Sequence, residues 1–247
     1  MDKELQTLLK NNRYRLKPHE VAAIQKMRET ETRNILVIGD LHEPFCLDGY
    51  LDWCLEQYEA FNCNQVIFIG DIIDAHGFSY HEPDPDGMSS GLELETAIKK
   101  IAKWYEAFPH ADVMIGNHDR MASRKAMSGG IPAAWIRSYN EVLGTPGWNW
   151  CDSVIYDDVL YEHGEGGQAA AKAKNNLMSS VCGHTHTLAY VQWFVGKRFK
   201  VFGMQVGCGV DSTTYAAAYA KNFKKQSIGC SVVLNNGELP INLLMPL

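Results

Sequence analysis

Five short polar clusters combine Asp, His and Asn with Gly at spacings that suit metal chemistry. They are Gly39-Asp40-Leu41-His42, Gly70-Asp71-Ile72-Ile73-Asp74, Gly116-Asn117-His118-Asp119, Tyr161-Glu162-His163-Gly164 and Gly183-His184-Thr185-His186. Their donors are carboxylate and amide oxygens and imidazole nitrogens with no thiolate, a set suited to Mn, Fe, Zn or Ni. Two such cations about 3.5–4 Å apart clamp the attacking and leaving oxygens of a phosphoryl transfer. Their mutual repulsion calls for a shared anion, so one carboxylate must bridge them, with a hydroxide as the second bridge. A single Asp-x-His arises by chance in many chains; five clusters in this order, each after an apolar stretch, would need five separate coincidences.

The elements that position the clusters follow from hydrophobic pattern. Asn34-Ile-Leu-Val-Ile38, Val66-Ile-Phe-Ile69 and Val113-Met-Ile115 are short, apolar, β-branched runs that read as buried strands, each ending at one cluster. Between them, Leu51, Cys54, Leu55, Tyr58 and Phe61 mark one helix, with Asp48 as its expected cap. Leu94, Ile98, Ile101, Tyr105 and Phe108 mark a second. Alternating strands and helices imply a largely parallel sheet covered by helices, with ligands outside the carboxyl ends of its strands. The second half reads as β-rich around 154–162, 178–182, 188–194, 199–206 and 229–234, with a final hairpin turning at Asn235-Asn236-Gly237. The expected organisation is an N-terminal helical extension over residues 1–33, with helices at Glu4–Lys10 and Pro18–Glu29, and one α/β domain over 34–247. The segment Ala75–Gly91 reads as a loop forming one wall of the cleft.

At 247 residues with 46% hydrophobic and 21% charged residues, the chain is ordinary globular material rather than disordered or fibrous. It shows no apolar run long enough to span a membrane and no secretory pattern at its N-terminus, and its seven cysteines form no CxxC pair, so a cytoplasmic protein with reduced thiols is expected. The net charge of −6 is unevenly spread. Residues 1–33 carry +3, residues 34–91 carry −11 without a single Lys or Arg, and residues 92–247 carry +2. A run of 58 residues without a cation suits a site that binds cations.

The ordered set of clusters resembles the calcineurin-like metallophosphoesterase superfamily, whose pattern runs DxH, GDxxD, GNH(D/E), H and GHxH. The resemblance spans residues 39–186 and is nearest the compact bacterial and phage-borne members. It implies a two-sheet β-sandwich flanked by helices and a dinuclear centre of divalent transition metals, Mn first and Fe, Zn or Ni as alternatives. By motif match, Asp40, His42, Asp71 and His186 would hold one metal, and Asp71, Asn117, His163 and His184 the other. His118 matches the general acid and Asp74 the carboxylate that orients and charges it. The implied activity is hydrolysis of a phosphodiester or phosphomonoester, with a nucleotide or nucleic acid among the possible substrates and no membrane partner. The alternatives are a DNA nuclease of the recombination-repair type and a non-catalytic scaffold. Protein Ser/Thr phosphatases carry an Arg after the second motif and a Glu closing the third; Ala75 and Asp119 stand there, which disfavours a phosphoprotein substrate.

Other residues carry less. His76, Tyr80 and His81 could touch substrate or be ordinary loop residues. Arg120, Arg124 and Lys125 read as solvated surface first and a phosphate cradle second. Tyr215, Tyr219, Lys221, Phe223, Lys224 and Lys225 read as a surface helix before a strand-tracking groove. Cys182 reads as core.

Overall fold

Strand β1 (Ile35–Ile38) is buried along its whole length, so both of its faces must be covered. Ile35 and Val37 enter one apolar core, Leu36 and Ile38 another. A computed structural model describes residues 32–80, 84–211, 213, 214 and 225–246, and there the chain meets this demand with two sheets and a layer of helices.

After β1 come α1 (Tyr50–Ala60), β2 (Gln65–Phe68), α2 (Ser90–Ala107), β3 (Ala111–Met114), α3 (Met121–Ser128), α4 (Tyr139–Leu143) and β4 (Trp148–Cys151). The second half supplies β5 (Ser153–Tyr156), β6 (Val159–Glu162), α5 (Ala169–Asn176), β7 (Ser179–Cys182), β8 (Tyr190–Val195), β9 (Lys200–Gln205), β10 (Gly229–Leu234) and β11 (Leu239–Leu244). One sheet runs β11-β10-β1-β2-β3-β4, parallel from β1 to β4 and antiparallel at β10 and β11. The other runs β5-β6-β7-β9-β8, with a parallel centre, β6-β7-β9, and antiparallel edges. Between the sheets Val37, Ile67 and Ile69 meet Tyr161, Val181, Phe202 and Met204. On the outer face of the first sheet Leu36, Phe68 and Val113 pack against Cys54 of α1 and Ile101 and Trp104 of α2. The architecture is a mixed α/β sandwich of two sheets flanked by helices.

Several sequence expectations shift in detail. Helix α1 is not capped by Asp48; Gly49, in a left-handed conformation, precedes it and no side chain caps it. The span 154–162 is a hairpin rather than one strand, because Asp157 and Asp158 both take positive φ (52° and 59°) and reverse the chain in two residues. Strand β4 and helix α4, closed by a Ser138–Glu141 capping box, lie in a region where no element was expected. The 235–237 hairpin turns as expected, with positive φ at all three residues. All seven cysteines are free thiols, and Cys182 is fully buried in β7. The expected N-terminal helices, His81 and the aromatic–basic stretch from Tyr215 to Lys224 lie outside the described residues. No helix among the described residues is long and apolar enough to cross a membrane.

Phe202 is 1% exposed and joins the two sheets from β9. Phe202→Ala should cost about 3–5 kcal/mol in urea unfolding, the range for emptying a buried aromatic site. A loss below about 1 kcal/mol would mean the sheets are not packed through this residue.

Candidate metal centre

The five clusters occupy the loops that follow β1, β2, β3, β6 and β7, all of them parallel members of their sheets. Three of the seven candidate ligands, His42, Asp71 and His184, adopt positive φ (50°, 50° and 67°). That is strained backbone for residues with a Cβ, and such strain gathers where side-chain direction matters more than local comfort. The chain also removes bulk nearby: a Cβ on Gly116 would collide with the Asp71 carboxylate, and one on Gly183 with Asp40 Oδ1.

Asp71 lies at the middle. Its Oδ1 accepts the His118 N–H at 2.8 Å, and its Oδ2 is 3.1 Å from His163 Nε2 and 3.6 Å from His42 Nε2. His163 Nε2 also lies 3.0 Å from Asn117 Oδ1 and 3.2 Å from His184 Nδ1. On the other side Asp40 Oδ2 accepts the His184 N–H at 2.8 Å and sits 3.1 Å from His186 Nε2. Donor atoms thus gather as Asp40, His42 and His186, and as Asp71, His163 and His184, within 4.8 Å inside each group. A third grouping, His42, Asp71 and His118, overlaps both. All seven residues expected as ligands come together, with His118 beside them.

Two buried atoms among the candidate ligands have no hydrogen-bond partner within the described residues: Asp40 Oδ1 and His42 Nε2. An orphaned polar atom in a site this dry costs free energy that a coordinated cation would recover. The ring nitrogens facing away from the cluster are occupied. His42 Nδ1 donates to Asp74 Oδ1 at 2.6 Å and His163 Nδ1 to the Ile69 carbonyl at 3.0 Å, which leaves both Nε2 atoms turned inward. The residues therefore fit the binding of a hard-to-borderline divalent metal.

The local charges are tightly coupled. Burial by itself would raise the Asp71 carboxyl; His163, His118 and His42 override it and hold it well below the carboxylate range. Burial works in the opposite sense on His163, but Asp71 raises it to about 10. His42 and His184 are pushed down, first by burial and then by neighbouring imidazoles, which favours the neutral form that donates a lone pair.

Asp74 divides its expected part: its charge acts on His118, but its carboxylate does not hold that ring. Its carboxylate is 2.6 Å from His42 Nδ1 but 3.7 Å from His118 Nδ1. His118 Nδ1 instead donates to the Asp74 main-chain carbonyl, at 2.5 Å. The carboxylate thus orients His42 first, and the backbone of the same residue orients His118. His76, a possible substrate contact by sequence, is buried under the short turn His76–Phe78, with its Nε2 accepting the Asp84 N–H.

Two supporting residues escaped the sequence reading. Asp119 Oδ1 accepts the N–H groups of Ile72 and Ile73 and its Oδ2 that of Gly116, so one carboxylate clamps the second and third cluster loops together. Burial and the charge of Asp71 raise it to about 7. Its place at the end of Gly-Asn-His-Asp was the available signal. Gln205, buried in β9, donates to the Gly183 carbonyl and accepts from Ala169, steadying the loop of His184 and His186. Nothing local in the sequence marks it.

Residues 33–188 match the sequence model of the calcineurin-like phosphoesterases. No curated protein matches the chain. Among solved structures it is similar to Vacuolar Protein Sorting 29 from Cryptosporidium parvum, at 11% identity over 87% of this chain and 100% of that one, with a TM-score of 0.42. It is also similar to YfcE, a phosphoesterase from E. coli, at 13% identity over 84% and 98% with a TM-score of 0.40. The nuclease MPE of Pseudomonas putida matches at 14% identity over 85% and 87%, with a TM-score of 0.33. With the match running through all five loops that build the cluster, the chain belongs to the calcineurin-like phosphoesterase family.

Proposed function

We propose that the protein hydrolyses a phosphate ester, a phosphodiester or phosphomonoester, with two divalent transition-metal ions. The observation that carries this reading is the convergence of Asp40, His42, Asp71, Asn117, His163, His184 and His186 around two orphaned buried donor atoms. Asp40, His42, Asp71 and His186 would hold one ion, and Asp71, Asn117, His163 and His184 the other, with Asp71 shared. Mn is the first candidate, with Fe, Zn or Ni as alternatives. When bound, such ions would polarise the phosphoryl group and lower the pKa of an attacking water toward about 7.

His118 is the proposed proton donor to the departing oxygen. Its Nδ1 is fixed by the Asp74 carbonyl, so Nε2 remains for the substrate. Burial works to lower its pKa, but Asp71 and then Asp74 outweigh burial and raise it, which favours the protonated ring that a proton donor needs. A scaffold would have no use for this imidazole.

Asp71→Asn should lose metal and activity together, because it removes the charge both ions share. Metal analysis after dialysis against Mn²⁺ checks it, and full occupancy in the variant would sink the ligand assignment. His118→Ala should retain both metals and lose about 10²–10⁴-fold in rate. The loss should shrink for a p-nitrophenyl ester, whose leaving group needs little protonation. His118 also stands within reach of His42 and Asp71, so a variant that empties a metal position would make it a ligand instead. Asp74→Asn should weaken metal retention more than His118→Ala does, because its carboxylate orients His42; unchanged metal content would refute that role.

A further inference from the structure

Beside the metal centre stands a surface that the reaction at the cluster does not use. Residues 120–140 carry four cations, Arg120, Arg124, Lys125 and Arg137, and no carboxylate. Arg120 is paired with Asp152 and Glu165. Arg124 and Lys125 instead lie over the ring of Tyr80, at 5.2 and 5.0 Å from its centre, and the Lys125 ammonium donates to the Ser79 carbonyl. Tyr80 belongs to the loop that leaves Asp74, while α3 follows His118 directly, so both walls of this contact start at the cluster. The turn at Ala133–Trp135 extends the surface with Trp135, 80% exposed, and Tyr80 itself is 58% exposed. Exposed aromatic rings beside cations that form no ion pair among the described residues call for a partner that has flat apolar faces and negative charge at once.

We propose that Tyr80, Arg124, Lys125, Trp135 and Arg137 bind a single strand of nucleic acid, and that the substrate is a polynucleotide. Bases stack on exposed rings and phosphates pair with the cations between them. Arg124 stands in the first turn of α3, which begins three residues after His118. A strand that passes the cluster and continues along α3 would bring further phosphates to Arg124 and Lys125. The bond cleaved rests on the phosphoesterase reading above: water oxygen attaches to phosphorus, the phosphorus–oxygen bond to one sugar breaks, and His118 gives that oxygen its proton. The products are a phosphomonoester end and a hydroxyl end. Strand binding does not depend on that step.

The test measures anisotropy of a fluorescein-labelled single strand of about 20 nucleotides, as DNA and as RNA, in EDTA across a salt series. Arg124→Gln with Lys125→Gln should weaken binding at least tenfold and flatten the log–log salt dependence by about 0.7 per lost cation. Trp135→Ala should weaken binding about tenfold and leave the slope alone, since stacking releases no counterion. All three positions are exposed, and unchanged thermal melts would show that the fold persists. No binding by the wild type, variants equal to it, or tighter binding to anionic lipid vesicles would each overturn the proposal. A parallel assay of the wild type on bis-p-nitrophenyl phosphate with Mn²⁺ separates the two readings. Hydrolysis without strand binding defeats only the polynucleotide substrate, and strand binding without hydrolysis of either substrate defeats only the phosphoesterase.

Discussion

A carboxylate buried to 1% exposure cannot stand alone, and Asp71 sets the terms for everything around it. It takes the His118 N–H, faces the rings of His163 and His42, and leaves no room for a Cβ at Gly116. Those partners come from the ends of three strands, β1, β3 and β6, in two sheets. Each strand must therefore stop at nearly the same level, with its carboxyl end on the same side. A parallel centre in each sheet meets that requirement; antiparallel pairing would send alternate strand ends to the opposite rim.

The same requirement explains where the chain spends its supporting polar groups. Asp119 spans the second and third loops through three N–H groups, and Gln205 holds the fifth. Asp74 serves two histidines with two different oxygens, one from its side chain and one from its backbone. Each of these groups constrains direction rather than adding a donor to the cluster. Ligands of a metal ion tolerate little angular error, and contacts of this kind would hold the donor side chains to the direction a bound ion needs.

Legibility in the sequence follows the range of the interactions. The five clusters and their strands could be read because motif and strand adjoin: Ile35–Ile38 runs into Gly39-Asp40, and Gln65–Phe68 into Ile69, Gly70 and Asp71. The two-sheet architecture came from family resemblance, since no local pattern says that Ile35 and Val37 face a second sheet while Leu36 and Ile38 face helices. What was missed is decided across the fold. Asp157 and Asp158 look like surface acids until they are seen to reverse the chain, and β4 packs its Trp148 on Phe68 from a stretch whose pattern favours no element. The motif links the Asp74 carboxylate to His118, which it charges from 3.7 Å, but the ring it holds at hydrogen-bond distance is that of His42, 32 residues earlier.

The uneven charge of the chain takes on a spatial meaning once the loops are in place. The cation-free segment, residues 34–91, supplies Asp40, Asp71 and Asp74, whereas the carboxylate-free segment, residues 120–140, begins directly after Asp119 and runs along the flank. A site that holds divalent cations needs the first kind of surface, because any fixed ammonium nearby would compete for the same carboxylates. A polyanion approaching that site needs the second kind, because beyond the reach of the bound ions nothing else offsets its repulsion from Asp and Glu. Under the proposed function, separating the two signs by sequence segment, with His118 between them, would let the cluster attract metal ions and the residues after it attract phosphates. Mixed charge at either place would weaken both attractions.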